Sequence, residues 1–166
     1  MKDINVAIIG CQFMGKAHSN AWANVSHFFD VPFKPVLKVA CDLNEKALSE
    51  CAAKWGWQET ETDWKKVVER GDVDVVVITT PPGIHRDIAV TAAKAGKHVF
   101  CEKPIALNAA EALEMYEAAE EAGVVHYLNH EYRRCPAVRP RCRYYRMLLK
   151  VFIWTTLEYC QLLLNQ

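Results

Sequence analysis

Gly10-Cys11-Gln12-Phe13-Met14-Gly15 sets two glycines around four larger residues, directly after an apolar run at 4–9. If a strand ends at Gly10 and a helix begins just beyond it, the helix N-terminus presents free backbone N–H groups and the positive end of its dipole. The ligand suited to such a turn is a diphosphate. Gly10 would permit the tight turn, and Gly15 would let the helix pack on the strand. Gln12 stands where the dinucleotide fingerprint usually has its middle glycine, so an ordinary strand-to-helix turn fits the same text.

Asp42 closes a second apolar run at 36–41. A carboxylate at that point accepts from the ribose hydroxyls of NAD and repels the 2′-phosphate of NADP. No arginine follows it; the next residues are Leu43 and Asn44. The competing reading is a helix cap, a position Asp also favours. Thr79-Thr80-Pro81-Pro82-Gly83-Ile84-His85 follows a run at 73–78, where ligands of open α/β sheets collect. Its hydroxyls and backbone could line a cofactor channel or cap the next helix. Cys101-Glu102-Lys103-Pro104 follows a run at 97–101. An ammonium there could polarise a hydroxyl or carbonyl during hydride transfer. A surface pair between Glu102 and Lys103 is the plainer alternative.

These residues need a scaffold that brings strand ends together. Strands are expected at 4–9, 36–41, 73–78, 97–101 and 124–128. Helices are expected at 14–25, from an Asn44 cap to near Gly56, from a Thr62 cap to 70–71, at 84–95, and at 108–122 with Gly123 past its end. Residues 27–35, with Pro32 and Pro35, read as a loop. The alternation predicts an α/β fold over residues 1–130: a doubly wound, right-handed parallel sheet of the Rossmann type. Strand runs that are apolar at successive positions agree with a sheet covered on both faces.

Taken in order, Gly-x-x-Phe-Met-Gly-Lys-Ala-His, Thr-Pro-x-x-x-His and Ala-Gly-Lys-His-Val-x-Cys-Glu-Lys-Pro make the chain resemble the Gfo/Idh/MocA oxidoreductases. The resemblance runs from Ile4 to about Val138, and its Glu-Lys-Pro stretch is the specific part. It implies NAD-dependent hydride transfer at a sugar or polyol hydroxyl, with NAD preferred to NADP. It implies Lys103 beside the nicotinamide, assisting substrate proton transfer. Gly10, Gln12, Phe13, Met14 and Gly15 would form the diphosphate loop, and Asp42 would meet the ribose. Thr80, Pro81, His85 and Glu102 would stand along the cofactor channel. Pro82 and Glu131 replace an Asn that many members carry. A methyltransferase of the same fold also uses a glycine turn and an acid after the second strand; Glu102-Lys103-Pro104 argues against that reading.

Composition bounds the rest. The 166 residues are 51% hydrophobic, with 20 basic and 20 acidic side chains. That balance gives no reason to expect nucleic acid or a lipid surface. No signal core or membrane span is expected. Seven cysteines, an odd number without a Cys-x-x-Cys pair, suit reduced thiols in a cytoplasm rather than a disulfide frame or a metal site. Residues 131–166 are expected to be an anomalous linker and tail in place of the family's substrate domain. Residues 135–166 hold five Lys+Arg against one Asp+Glu. Such a change of text suits a truncated or frameshifted gene, and a helix over 145–164 is the other reading. No Asp follows Asp87 and no His follows His130. The acid/base pair that the family's second domain would supply is therefore missing. On that ground the chain alone is expected to be incomplete for catalysis, with a non-catalytic cofactor-binding remnant as the rival reading. An apolar sheet face left open would offer a surface for oligomerisation.

Overall fold

The computed structural model describes residues 1–130 and 132. The expectations for the tail, including the helix over 145–164, lie outside the described residues. The chain divides into two units, Met1–Asn129 and His130–Gln166. All the elements below belong to the first.

Six strands form one parallel sheet: β1 (Lys2–Ile9), β2 (Phe33–Cys41), β3 (Glu59–Glu61), β4 (Val75–Ile78), β5 (His98–Glu102) and β6 (His126–Asn129), in the spatial order β3-β2-β1-β4-β5-β6. Between them run α1 (Phe13–Phe28), α2 (Glu45–Trp55), α3 (Trp64–Val68), α4 (His85–Lys94) and α5 (Ala109–Ala122). The order reverses between β3 and β4, so β1 and β4 flank the switch point of a doubly wound sheet.

Period-two alternation divides the core into two layers. Val6, Ile8, Val75 and Val77 join Leu48 and Cys51 of α2 on one face. Ala7, Ile9, Val76 and Ile78 join Val67, Ile88, Ala92 and Met115 of α3, α4 and α5 on the other. Both sets of strand residues are buried. Each large aliphatic side chain so enclosed contributes about 1.5–3 kcal/mol relative to exposure.

Several elements differ from the sequence expectation; α1, for one, runs on to Phe28, into the expected loop. Strand β3 is unforeseen, because Glu-Thr-Glu is polar and short; among the described residues it pairs only with Val39–Cys41 and forms an edge. Strand β2 begins at Phe33 and includes Pro35, expected in a loop. Pro35 pairs with Ile4 of β1 at a level β3 does not reach, so its missing N–H deprives no ladder on that side. Helix α3 is capped by Asp63, whose carboxylate accepts from the Lys65 amide at 3.0 Å, and not by Thr62.

Cys11, Cys41, Cys51 and Cys101 are free and buried, as small hydrophobes in the two core layers. Lys97, in the Ala-Gly-Lys-His stretch, is also buried. Its ammonium donates to the carbonyls of Arg70 and Val73 at 2.6 and 2.9 Å, which fastens the turn before β4 to the start of β5. It lies at the opposite end of that strand from Lys103. No helix among the described residues is long and apolar enough to cross a membrane.

Candidate functional site

The carboxyl ends of the parallel strands collect the candidate residues along one edge. Gly10 follows β1, Asp42 follows β2, Thr79 follows β4, and Glu102 ends β5 ahead of Lys103.

At the first turn, Gly10 has φ +103°, a region that L side chains rarely adopt. A Cβ on Gly10 would meet the Thr79 backbone at 2.8 Å, and one on Gly15 would overlap the Gly10 carbonyl oxygen. Thr79 locks the arrangement: its hydroxyl reaches the carbonyls of Ile9 and Gly10 at 3.1 and 2.6 Å. The glycines therefore let β1, β4 and α1 meet backbone to backbone. Gln12 is the N-cap residue of α1, yet its side chain makes no capping hydrogen bond, and the first turn holds no acidic residue. The leading amides of α1 and the positive end of its dipole are thus left for an external anion. Gln12 and Phe13 are exposed, and Met14 is half-buried.

Asp42 ties this turn to the end of β2. Its Oδ2 accepts from the Cys11 amide at 2.7 Å, and its Oδ1 accepts from the Asn44 amide at 2.8 Å. Asn44, not Asp42, caps α2, accepting from the Ala47 amide at 3.0 Å. The helix-cap alternative for Asp42 is therefore set aside. Each carboxylate oxygen keeps a further lone pair for a hydroxyl donor.

His85 is fully buried and holds two loops together. Its Nε2 contacts the Thr80 carbonyl at 2.8 Å, and its Nδ1 contacts the Pro104 carbonyl at 3.0 Å. With both nitrogens on backbone, His85 fastens the loop after β4 to the loop after β5 and has no nitrogen left to face a channel. The Thr80 hydroxyl is buried with no partner among the described residues. Pro81 is exposed beside it.

Glu102 does not form the alternative surface pair with the Lys103 side chain. It is buried, and its Oε1 accepts from His18 Nε2 at 2.7 Å and from the Asn129 side-chain amide. Its Oε2 accepts from the Lys103 backbone amide at 3.1 Å. Burial pushes this carboxyl up, but the His18, Asn129 and Lys103 hydrogen bonds outweigh burial and hold it below its ordinary value. Lys103 itself is exposed. His18 and Asn129 were not foreseen as parts of the site. The signals for His18 are its place as the last residue of the Gly-x-x-Phe-Met-Gly-Lys-Ala-His run and its position three residues after Gly15, on the same buried face of α1.

An uncapped helix N-terminus at a sheet's switch point, flanked by a carboxylate after the second strand, defines a dinucleotide-binding domain. The chain belongs to the Gfo/Idh/MocA oxidoreductase family: that family's NAD-binding Rossmann fold matches residues 4–130. Levoglucosan dehydrogenase of Pseudarthrobacter phenanthrenivorans is 42% identical over 139 residues, which are 83% of this chain and 36% of that protein. Myo-inositol 2-dehydrogenase of Thermotoga maritima is 30% identical over 122 residues, 74% of this chain and 34% of that protein. A levoglucosan dehydrogenase solved in complex with NADH and L-sorbose superposes with a TM-score of 0.79 at 42% identity, over 83% of this chain and 37% of that one. The chain thus spans about a third of the length of these relatives.

Proposed function

We propose that this chain is the cofactor half of an NAD-dependent dehydrogenase acting on a hydroxyl of a sugar or polyol. The observation that carries the reading is the uncapped N-terminus of α1 between Asp42 on one side and Thr80 and Lys103 on the other. The residues present fit a dinucleotide. The amides of α1 suit a diphosphate, and the unpartnered Thr80 hydroxyl is an orphaned donor and acceptor on the far side of it.

NAD, when bound, supplies the hydride acceptor. Gly10, Gln12, Phe13, Met14 and Gly15 hold the diphosphate through the helix end. Asp42 accepts from the ribose hydroxyls and places a negative charge where NADP would bring its 2′-phosphate. Thr80 and Pro81 line the channel toward the substrate, with His85 holding their loop in place. Lys103 would hold the substrate hydroxyl through its Nζ ammonium, polarising the oxygen and assisting transfer of its proton to a base. The substrate class follows from relatives whose names specify levoglucosan and myo-inositol.

Cofactor preference is the first test. Calorimetric Kd values should favour NAD+ over NADP+ by about tenfold or more, and Asp42→Ala should shrink that gap, since one tenfold step is about 1.4 kcal/mol of charge repulsion. Equal affinities in the unmodified chain would end the reading of Asp42. NADH formation with levoglucosan or inositol tests Lys103. The chain alone is expected to turn over well below ordinary dehydrogenase rates; replacement by alanine should lower any such turnover by a further factor of about 10²–10⁴ while the NAD+ Kd stays near its starting value. Undiminished turnover would remove Lys103 from the chemistry.

A further inference from the structure

Glu102 is a carboxylate that is 3% exposed and whose hydrogen-bond partners come from three separate parts of the chain: His18 on α1, Asn129 on β6 and the Lys103 amide after β5. Among the described residues no lysine or arginine lies within ion-pairing distance of it. Amides satisfy a carboxylate's lone pairs without cancelling its charge. His18 Nε2 must carry a hydrogen to donate to Oε1. A fold gains little stability from burying a carboxylate in this way, since desolvation offsets the hydrogen bonds. The location gives the charge a use. The turn after β1 and Asp42 after β2 account for the diphosphate and one ribose. That leaves the ends of β4 and β5, where Thr80 and Glu102 lie, for the nicotinamide end. The oxidised nicotinamide ring is a cation, and the reduced ring is neutral.

We propose that Glu102 is a buried counter-charge that favours oxidised over reduced nicotinamide, and that His18 and Asn129 are the positioning residues that hold it. The inference rests on the dinucleotide reading above. At an effective dielectric constant of about 20, one unit charge close to a cation changes its affinity about tenfold or more.

The test compares Kd values for NAD+, NADH and ADP-ribose, the last lacking only the nicotinamide. In Glu102→Gln, NAD+ binding is expected to weaken about tenfold relative to NADH, with ADP-ribose little affected. An unchanged ratio of NAD+ to NADH affinity, with ADP-ribose still bound, would refute the counter-charge. If Glu102→Gln does not fold, His18→Leu and His18→Gln carry the test. Leucine removes a donor that holds the carboxylate and should move the ratio toward NADH, whereas glutamine keeps an N–H and should preserve it. Identical ratios in the two His18 variants would remove His18 from the proposal. A purely structural role would lower affinity for all three ligands together. Failure of the unmodified chain to bind ADP-ribose would instead overturn the dinucleotide reading beneath it.

Discussion

Gly15→Ala is expected to abolish measurable NADH binding and to lower the stability of this domain by about 3 kcal/mol or more. The added Cβ would overlap the Gly10 carbonyl oxygen, which is backbone and cannot swing aside. Neither partner is free to retreat. The Gly10 carbonyl is held by the Thr79 hydroxyl at 2.6 Å, and the Gly15 carbonyl accepts from Ser19 Oγ at 2.7 Å. His18, one turn further along α1, is fixed to Glu102. Relief therefore means shifting α1 as a body, which moves its leading amides off the turn. Thermal unfolding should fall by about 10 °C for a domain of this size. Gly83→Ala is the matched control. Nothing stands within 4 Å of its new methyl, so a change of about 0.5 kcal/mol or less is expected. A Gly15→Ala protein that melts with the unmodified chain and binds NADH equally well would contradict the packing described for the turn.

Glu102→Ala is expected to destabilise the domain by about 1–3 kcal/mol for each buried donor left unsatisfied, because the His18 ring, the Asn129 amide and the Lys103 N–H lose their shared acceptor. The same site predicts an acid dependence, and its sign follows from the direction of the shift. Glu102 is held below its ordinary value of 4.5 in the folded chain, so the unfolded chain binds the proton more readily. The stabilisation it gives is complete above the unfolded value and is lost as pH falls through the lower folded value. Burial and then the charge of Glu102 raise the neighbouring Cys101 thiol to about 12, so it keeps its proton throughout this range. Glu59, Glu61 and Asp72 are also held low by their partners and contribute acid sensitivity of their own. The informative quantity is thus a difference. Urea unfolding at pH 7, 5 and 3.5 should show a gap between the unmodified chain and Glu102→Gln that narrows as pH falls. A gap constant across that range would mean the carboxylate is not ionised in the folded chain.

Strand ends, glycines and the Glu-Lys-Pro stretch were legible because fully buried parallel strands write themselves as continuous apolar runs, and the residue after each run is a site position by topology alone. Gly10, Asp42 and Lys103 are candidates on that ground, and the fold places all three at strand ends. Strand β3 was hidden for the converse reason: an edge strand has one neighbour and may be wholly polar, as Glu59-Thr60-Glu61 is. Pro35 concealed the start of β2 because the rule against proline in strands applies to positions paired on both sides. The hydrogen bond between Glu102 and His18 is not legible because the two lie 84 residues apart, while Lys103 is adjacent and of opposite sign. Local text shows adjacent charges and is silent on pairs formed by folding. The resemblance places His85 along the channel, and its two backbone contacts, to Thr80 and Pro104, are beyond the reach of local text.

The acidic edge also bears on how this chain behaves at high concentration. An open strand is a template on which another chain can add itself, and proteins blunt such templates by making them short and charged. Glu59–Glu61 offers three residues. The carboxylate of Glu59 is engaged by Lys38 at 3.0 Å and Arg70 at 2.7 Å, which crowds the border with long basic side chains. A second sheet approaching from that side meets carboxylates, ammonium and guanidinium groups before it meets a free amide, so fibre growth has no foothold at this margin.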